Sequence, residues 1–458
     1  MAEYQTTMER TMALLLKEKK YVTLRDILVT MNASDIAQLF DAMPEDRLPL
    51  LFRLLPKELA AETFVEMEPE AQELLIIGFS DSELKEVIDE LYVDDAVDLV
   101  EEMPANVVKR ILKQADPDMR RSINEILRYD EDSAGSMMTT EYISLRPVMT
   151  VSEAITRIRR TGVDKETIYT CYVTAARKLI GLVTVKDLLL CEDDDMLIQD
   201  LMLKHVISVH TWDDKEDVAQ MLSKYNFLAL PVLDSEERMV GIVTFDDAMD
   251  VIEEEATEDI KKMAAIIPSE KSYMRMHAWE IFRNRIPWLT LLMLTSTFTG
   301  LIITYFENQL YGMICLSAFI PMLMGSAGNA GSQTSVTIIR GMSLDEIRFS
   351  DLARVLWKEC RVAVLCGLVL AVACFAKVMI VDYWLLQTEG ITWMVALVIC
   401  IALAVTILLS KVVGAVLPML AEKLGFDPAL MASPIITTVV DALSLLVYFN
   451  IARVMLGI

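Results

Sequence analysis

The chain has 458 residues, a formal net charge of −25 and a mean hydropathy of +0.39, and these values exclude several classes of protein. A strongly acidic chain repels nucleic acid and attracts cations, so we exclude nucleic acid as a partner. Seven cysteines and three histidines without metal-ligand spacing predict neither disulfides nor a zinc site. High charge together with high hydropathy predicts a membrane domain joined to an acidic soluble domain.

Residues 1–130 have a repetitive helical pattern. Glycine is absent before Gly78, and Leu, Glu, Ala and Met recur at spacings of three and four. Pro44, Pro69 and Pro104 each stand where a new helix can begin. We expect stacked helical hairpins that form a small superhelix. Because the first residues lack a basic segment followed by an apolar one, we expect no signal peptide and a cytosolic location for this part.

Residues 131–253 contain an internal duplication. The sequence LIGLVTVKD at 179–187 is echoed sixty residues later by MVGIVTFDD at 239–247. In each copy an apolar strand ends in Thr-x-x-Asp, a pattern that opens and caps a helix. Two matched copies of this Gly-x-Val-Thr-x-x-Asp signature resemble a tandem pair of α/β CBS domains.

A nucleotide site is one implication of that resemblance. CBS pairs often bind adenine nucleotides through the Thr and Asp of the repeated motif. The matching residues in this chain are Thr184, Asp187 and Thr244. The alternative is that these residues only cap their helices.

A run of acids follows the duplication. Residues 245–260 contain eight acids and no base: Asp246, Asp247, Asp250, Glu253, Glu254, Glu255, Glu258 and Asp259. Helical spacing would place Asp247, Asp250 and Glu254 on one face. Taken alone, such a run is most simply a solvated helix face. We assign 254–284 to an acidic connecting helix and its linker.

Residues 285–458 form the predicted membrane domain. Its apolar runs each reach the roughly 20 residues needed to span a bilayer: 286–306, 313–339, 362–381, 391–420 and 429–456. Basic residues precede the first run and follow the second and fourth. The positive-inside rule then places the N-terminal domains in the cytosol and the C-terminus outside, in a multi-pass protein of the plasma (inner) membrane.

Asp441 lies in the middle of the fifth run without a basic neighbour on its helix. An acid at a helix centre costs roughly 2.5–3.5 kcal/mol on insertion scales, so a cation should offset it. The second run is also polar, with Asn329 and Gln333 among several small residues. Close helix packing explains the small residues, whereas the polar side chains need water or partners and favour a polar lumen.

Two membrane motifs, PMLMGSAGNAGSQTS at 321–335 and DPALMASPIITTVVD at 427–441, complete the pattern. Together with five spans, a CBS pair and a helical superhelix, they resemble the MgtE family of magnesium channels over essentially the whole chain. The resemblance implies a homodimer whose pore lies on the two-fold axis between the second and fifth spans. Mg²⁺ sheds water reluctantly and prefers oxygen ligands. The predicted pore residues are Asp441, Asp427, Asn329 and Thr438; for Asp427, an ordinary helix start is the alternative.

The resemblance also implies a cytosolic gate. In the family, acids of the connecting helix bind Mg²⁺ at domain interfaces and hold the helix over the pore as a plug. The predicted regulatory ligands are Asp94, Asp98, Asp214, Glu216, Asp247, Asp250, Glu255, Glu258 and Asp259. Asp247 also matches the nucleotide motif, and we favour the metal there.

These features predict a multidomain membrane protein with an all-α bundle of five transmembrane helices per subunit, a cytosolic α-helical superhelix and an α/β CBS pair. We expect a Mg²⁺-selective channel or transporter that imports Mg²⁺, is closed by intracellular Mg²⁺, contacts membrane lipid and has no enzymatic activity. ATP is a candidate regulator. One alternative is an ion-coupled secondary transporter of divalent cations, since an intramembrane carboxylate also suits a proton relay. The other is a membrane-anchored nucleotide sensor without a pore.

Overall fold

The structure, a computed structural model, describes residues 2–269, 273, 276–310, 314–344, 346–431 and 433–457. The chain divides into two compact units, Met1–Glu253 and Glu254–Ile458. The boundary falls inside one helix, which begins in the first unit and ends in the second.

Short helices with apolar faces build the N-terminal part of the first unit. They are α1 (Ala2–Lys17), α2 (Tyr21–Leu28), α3 (Ala33–Asp41), α4 (Leu48–Phe52), α5 (Lys57–Val65), α6 (Pro69–Gly78), α7 (Asp81–Ile88), α8 (Val93–Glu102), α9 (Ala105–Gln114) and α10 (Pro117–Ile126). Pro69 opens α6 and Pro104 caps α9, because the fixed φ of proline suits the first turn. Fully buried leucines such as Leu24, Leu51 and Leu75 join the helices in one core.

Two similar three-stranded sheets follow within the described part of the first unit. Their strands are β1 (Ile143–Leu145), β2 (Thr170–Ala175), β3 (Lys178–Thr184), β4 (Val209–His210), β5 (Ala229–Leu233) and β6 (Met239–Thr244). The accompanying helices are α11 (Val151–Thr161), α12 (Val185–Leu190), α13 (Ile198–Leu201) and α14 (Lys215–Tyr225). In each sheet the first strand is parallel to the second, and the second is antiparallel to the third.

The duplicated glycines occupy equivalent places in the two sheets. Gly181 pairs with Val173, and Gly241 pairs with Val232. A Cβ on Gly181 would lie 2.8 Å from the carbonyl oxygen of Leu203, and one on Gly241 would lie 2.7 Å from that of Thr139. Backbone therefore approaches both glycines too closely for any side chain, and the sequence repeat is also a structural repeat.

Long helices make up the second unit. After α15 (Phe245–Met263) come α16 (Ala278–Leu310), α17 (Ile320–Ser343), α18 (Leu352–Lys377), α19 (Trp393–Lys423) and α20 (Ser433–Leu456). Among the described residues, four segments are long and apolar enough to cross a membrane: Ala278–Phe306, Phe349–Leu385, Trp393–Lys423 and Pro428–Leu456. The 24-residue α17 covers the predicted second span, but its polar side chains keep it out of that apolar set.

Helix α19 lies at the centre of the second unit. It packs against α17, α18 and α20, and more than half of its most apolar window is buried. The most apolar window of α16, in contrast, contains no buried residue. The surface of α16 is thus free to contact lipid or another chain.

Candidate functional site

Asp441 lies in α20 beside α17. A Cβ on Gly328 of α17 would lie 3.9 Å from Oδ1 of Asp441 and 3.2 Å from Cγ2 of Thr437, so the helices approach closely at this level. The Asp441 carboxylate is half-buried, and no basic side chain of the described residues forms an ion pair with it. An acid in an apolar helix without a cationic partner is a candidate ion-binding group.

Helix α17 has one buried and one exposed face. Ala327, Gly331 and Thr334 are buried, and they recur at the spacing that places residues on one side of a helix. Asn329 and Gln333 are exposed on the other side. Polar side chains on an exposed helix face at membrane depth require water or a polar partner.

Thr438 lies one turn before Asp441 on α20. Its hydroxyl donates a hydrogen bond to the carbonyl oxygen of Pro434 at 2.9 Å, and the Thr437 hydroxyl donates to the same atom at 2.9 Å. Both hydroxyl oxygens keep lone pairs for an ion or its water. Thr438 and Asp441 are three residues apart on α20, but Thr437, which was not predicted, is the threonine that lies with Asp441 against Gly328.

Asp427 is already engaged. One carboxylate oxygen accepts a hydrogen bond from the backbone N–H of Ala429 at 2.7 Å, which caps the 3-10 helix Pro428–Met431. The other lies 2.5 Å from the ammonium nitrogen of Lys262. This predicted pore residue is therefore both a helix cap and half of an ion pair.

The end of α15 docks at Asp427. Lys262 lies 2.7 Å from Glu258 as well as 2.5 Å from Asp427, and Met263 packs against Ile339 and Ala429. Burial alone would lower the pKa of Lys262, but hydrogen bonds to Asp427 and Glu258 outweigh it and raise that pKa. The ammonium thus stays charged and joins two predicted metal ligands.

Asp259 attaches the same helix to α17. Its carboxylate accepts a hydrogen bond from the hydroxyl of Ser343 at 3.2 Å. Burial and the charge of Asp427 raise the pKa of Asp259. Glu255 lies half-buried one turn earlier on α15. The predicted regulatory residues of the second unit therefore share one short helical segment.

A second group of acids, here called the acid cluster, lies in the first unit. It combines the starts of α8 and α15 with two glutamates of the first CBS repeat: Asp94, Asp95, Asp98, Asp246, Asp247, Asp250, Glu141 and Glu166. The sequence predicted Asp94, Asp98, Asp247 and Asp250 as ligands, and the structure brings them together. It missed Asp95 and Asp246, which each stand next to a predicted ligand, and Glu141 and Glu166, which carry no local signal.

Like charges and burial shift the titration of the acid cluster. Asp94 is 6% exposed, and burial followed by the charge of Asp247 raises its pKa well above the usual range. Burial and neighbouring acids raise the pKa of Glu166 to about 8. For Asp247, burial raises the pKa to about 6 although the Thr244 hydroxyl partly opposes it. Burial, followed by the charge of Asp247, also raises the pKa of Asp98. Water screens this effect because the Asp98 side chain retains exposed surface.

A cavity of about 130 Å³ borders the acid cluster. Asp95, Asp98 and Glu102, on one face of α8, line it together with Gln72. Since a liquid water molecule occupies roughly 30 Å³, the cavity holds a few waters. Among the described residues, no three acid, histidine or cysteine side chains are placed to ligate a metal directly.

The remaining predicted ligands lie at helix starts. Asp214 caps α14 by accepting from the backbone N–H of Glu216 at 2.9 Å, and Glu216 accepts from Gln220 at 3.1 Å. Thr184 and Asp187 form a capping box at the start of α12, with hydroxyl and carboxylate 2.6 Å apart. Thr244 donates to Asp247 in the same way. Capping is thus their visible role, and metal or nucleotide binding stays a prediction.

Family models match most of the chain. Residues 320–451 match MgtE, described as a divalent cation transporter. Residues 31–132 match the MgtE intracellular N domain, and residues 134–192 and 198–254 match CBS domains.

Known proteins resemble the chain along nearly its full length. A protein of Thermus thermophilus named magnesium transporter MgtE is 35% identical over 446 residues, which cover 96% of this chain and 97% of that protein. A protein of the same name from Bacillus subtilis is 31% identical over 448 residues, which cover 96% of this chain and 95% of that protein. The crystal structure of the cytosolic domain of the Mg²⁺ channel MgtE in complex with ATP is 34% identical, covers 53% of this chain and 99% of that one, and has a TM-score of 0.51. With its MgtE N domain, CBS pair and helical C-terminal region, the chain belongs to the MgtE family.

Proposed function

We propose that this protein transports Mg²⁺ across a membrane, as a transporter and not as an enzyme. The observation that carries the proposal is its 35% identity, over 96% of the chain, to a protein named magnesium transporter MgtE. The unpaired carboxylate of Asp441 beside the polar α17 gives the chain a group that a divalent cation would neutralise.

The pore, in this proposal, lies between two copies of the chain. Helix α17, the second span in chain order, brings the number of spans to five, and its exposed face with Asn329 and Gln333 meets water in a lumen because lipid could not solvate it. A two-fold axis beside α17 and α20 supplies a second Asp441 from the partner subunit. Asp441, Asn329 and Thr438 then hold the water shell of the ion, with Asp427 at the mouth.

Regulation by intracellular Mg²⁺ is proposed for the acids of both units. Without Mg²⁺, the acid cluster of the first unit is self-repelling, since its members crowd together and several are buried. Bound ions would hold α8 and α15 together, and they would supplement the Lys262 contact at the pore mouth. By linkage, the state with more bridging sites gains population as Mg²⁺ rises.

ATP is proposed as a regulator that binds the CBS pair. The support is the ATP-bound structure of a related cytosolic domain, together with Thr184, Asp187 and Thr244 at the strand-to-helix junctions. The proposed orientation is that of the positive-inside rule, with the N-terminal domains in the cytosol and the C-terminus outside the plasma membrane.

Flux through the purified full-length protein tests the transport function. Vesicles that contain the protein should take up Mg²⁺, and the current should reverse at the Nernst potential of Mg²⁺ alone. A reversal potential that moves with pH or Na⁺ would favour the coupled secondary transporter instead. Absence of Mg²⁺ uptake would leave the pore-free nucleotide sensor.

Asp441→Asn tests the pore residue. The substitution keeps the size of the side chain and removes its charge, so Mg²⁺ uptake should fall to about a tenth or less, because a charge-assisted contact to the hydrated ion is lost. Asp382→Asn is the matched control, since Asp382 is an acid of the same unit that pairs with Lys377 at 2.7 Å. Asp382→Asn should transport normally; normal uptake by Asp441→Asn would overturn the pore assignment.

A further inference from the structure

A charged pair lies buried behind α17. The ammonium nitrogen of Lys411, on α19, is 3.3 Å from a carboxylate oxygen of Glu359 on α18 and 3.0 Å from the hydroxyl oxygen of Thr334 on α17. The Thr334 hydroxyl lies 3.0 Å from the same Glu359 oxygen. Lys411 is 6% exposed, so the three groups form a closed network that joins three helices.

The network lies inside the packed second unit: Thr334 and Lys411 are within predicted apolar runs, and Glu359 stands three residues before the third run. Lys411 stands 12 residues before the end of α19, or about 18 Å along the helix, and Glu359 stands 7 residues after the start of α18, or about 10 Å. Both side chains are nevertheless largely buried in the packing of the helices, and buried ionised groups are costly unless paired. A buried ion pair also rarely stabilises a protein more than apolar residues of the same volume would. The pair therefore calls for a role other than stability.

Thr334 is the point where the pair reaches α17. Another hydrogen bond joins α19 to α17 on this face: the Ser410 hydroxyl donates to the backbone carbonyl oxygen of Ala327, and a Cβ on Gly331 would lie 2.6 Å from that hydroxyl. Those contacts set how closely α17 approaches α19. The hydrogen bonds at Thr334 join the side chain of α17 to both α18 and α19. Because hydrogen bonds are directional, these bonds and the Ser410 bond together set the rotation of α17 about its axis.

We propose that Lys411 and Glu359 are positioning residues for transport: through Thr334 they hold α17 in the rotation that turns Asn329 and Gln333 away from the packed core. A helix turned by one residue moves every side chain by about 100°, which would withdraw that polar face from the ion path. The proposal rests on the proposed transport function.

Thr334→Val is the decisive variant, because it keeps the volume and leaves the Lys411–Glu359 pair intact. In full-length protein in vesicles, we expect the maximal rate of Mg²⁺ uptake to fall about tenfold and the apparent KM to change, with unfolding temperature and yield preserved. Thr334→Ser keeps the hydroxyl and should restore transport. Thr406→Val is the matched control: this buried hydroxyl donates to Leu403 of its own helix at 3.0 Å, so transport should stay at the wild-type level.

A double variant, Lys411→Met with Glu359→Met, removes both charges and both hydrogen-bond partners of the Thr334 hydroxyl on α18 and α19 without leaving one charge unpaired. It should show the same loss as Thr334→Val, and adding Thr334→Val to it should cost nothing further, since all three residues act through one link. Additive losses, or wild-type uptake by Thr334→Val, would overturn the proposal. Should wild-type protein itself take up no Mg²⁺, the proposed function fails and the positioning role fails with it. If the Thr334→Val protein folds poorly, the double variant decides: a loss of uptake of about tenfold supports the proposal, and wild-type uptake overturns it.

Discussion

At the scale of single residues, Lys262 is the finding that the sequence did not predict. The acidic run suggested a helix whose charges need divalent ions, and Asp427 was predicted as a metal ligand. In the structure a lysine from the end of the same helix lies between Glu258 and Asp427. The signal was present, because Glu258 and Lys262 are spaced i, i+4. Only tertiary structure could add Asp427, which is 165 residues further along the chain.

Lys262→Met tests whether this ammonium holds α15 at the pore mouth without metal. The substitution leaves Glu258 and Asp427 as an unpaired couple of like charges, which repel when Mg²⁺ is removed. Uptake into vesicles loaded with chelator instead of internal Mg²⁺ should rise about two- to fivefold, the range expected for partly exposed ion pairs. Internal Mg²⁺ should reverse the rise by bridging the two acids.

Lys261→Met is the control for that measurement. The neighbouring ammonium donates to the carbonyl oxygen of Ser269 and has the same charge and length. If both lysine variants raise uptake equally, the rise comes from the general loss of a positive charge. The specific contact between Lys262 and Asp427 would then not hold α15 at the pore mouth.

At the scale of elements, one face of α17 could be predicted from the sequence and the other could not. Its polarity predicted a helix that avoids lipid, and the structure places Asn329 and Gln333 on an exposed face; that this face lines a lumen stays a prediction. The opposite face was not predictable, because its partners lie on α18 and α19. Glu359 and Lys411 stand out as charges near or within apolar runs, yet a single sequence does not tell which charge meets which.

The contact between Gly331 and Gly414 is an element-scale prediction. A Cβ on Gly414 would overlap the carbonyl oxygen of Gly331, and backbone cannot move aside as a flexible side chain can. Gly414→Ala should destabilise the protein by about 1–3 kcal/mol, the usual cost of overpacking. The measurement is the unfolding temperature of the full chain in detergent. Gly300→Ala is the control, since a Cβ there meets nothing within 4 Å; equal unfolding temperatures for the two variants would contradict the packing.

At the scale of the whole molecule, the acid cluster is assembled from distant segments. The sequence predicted the acidic start of α15 and the paired acids of α8, since each forms a local pattern. Glu141 and Glu166 lie in ordinary loop and strand-edge contexts, and Glu141 accepts a hydrogen bond from the backbone N–H of Val93 at 3.3 Å. Such residues join a site through the fold alone, which is why the sequence missed them.

The raised pKa values of the acid cluster make its stability depend on pH. Each carboxyl binds its proton more tightly in the folded unit than in the unfolded chain, so its favourable contribution is complete below about pH 4 and is lost as pH rises. This stability is lost as the pH passes the raised pKa of each group, which is about 6 for Asp95 and Asp247 and about 8 for Glu166. Divalent ions bind only the deprotonated groups. The stabilisation by Mg²⁺ should therefore grow from about pH 5.5 to about pH 8.5.

The increment in unfolding temperature between Mg²⁺ and chelator, measured on the full chain at both ends of that range, checks this linkage. Using the increment removes the pH effects of groups that do not bind the ion. Asp95→Asn should shrink the increment at the alkaline end, because it removes one charge from both the acid cluster and its cavity. Asp118→Asn should not, since that acid is exposed on α10 beside Arg121. An increment that is equal at both pH values would mean that Mg²⁺ acts elsewhere, and the regulatory role of the acid cluster would then be wrong.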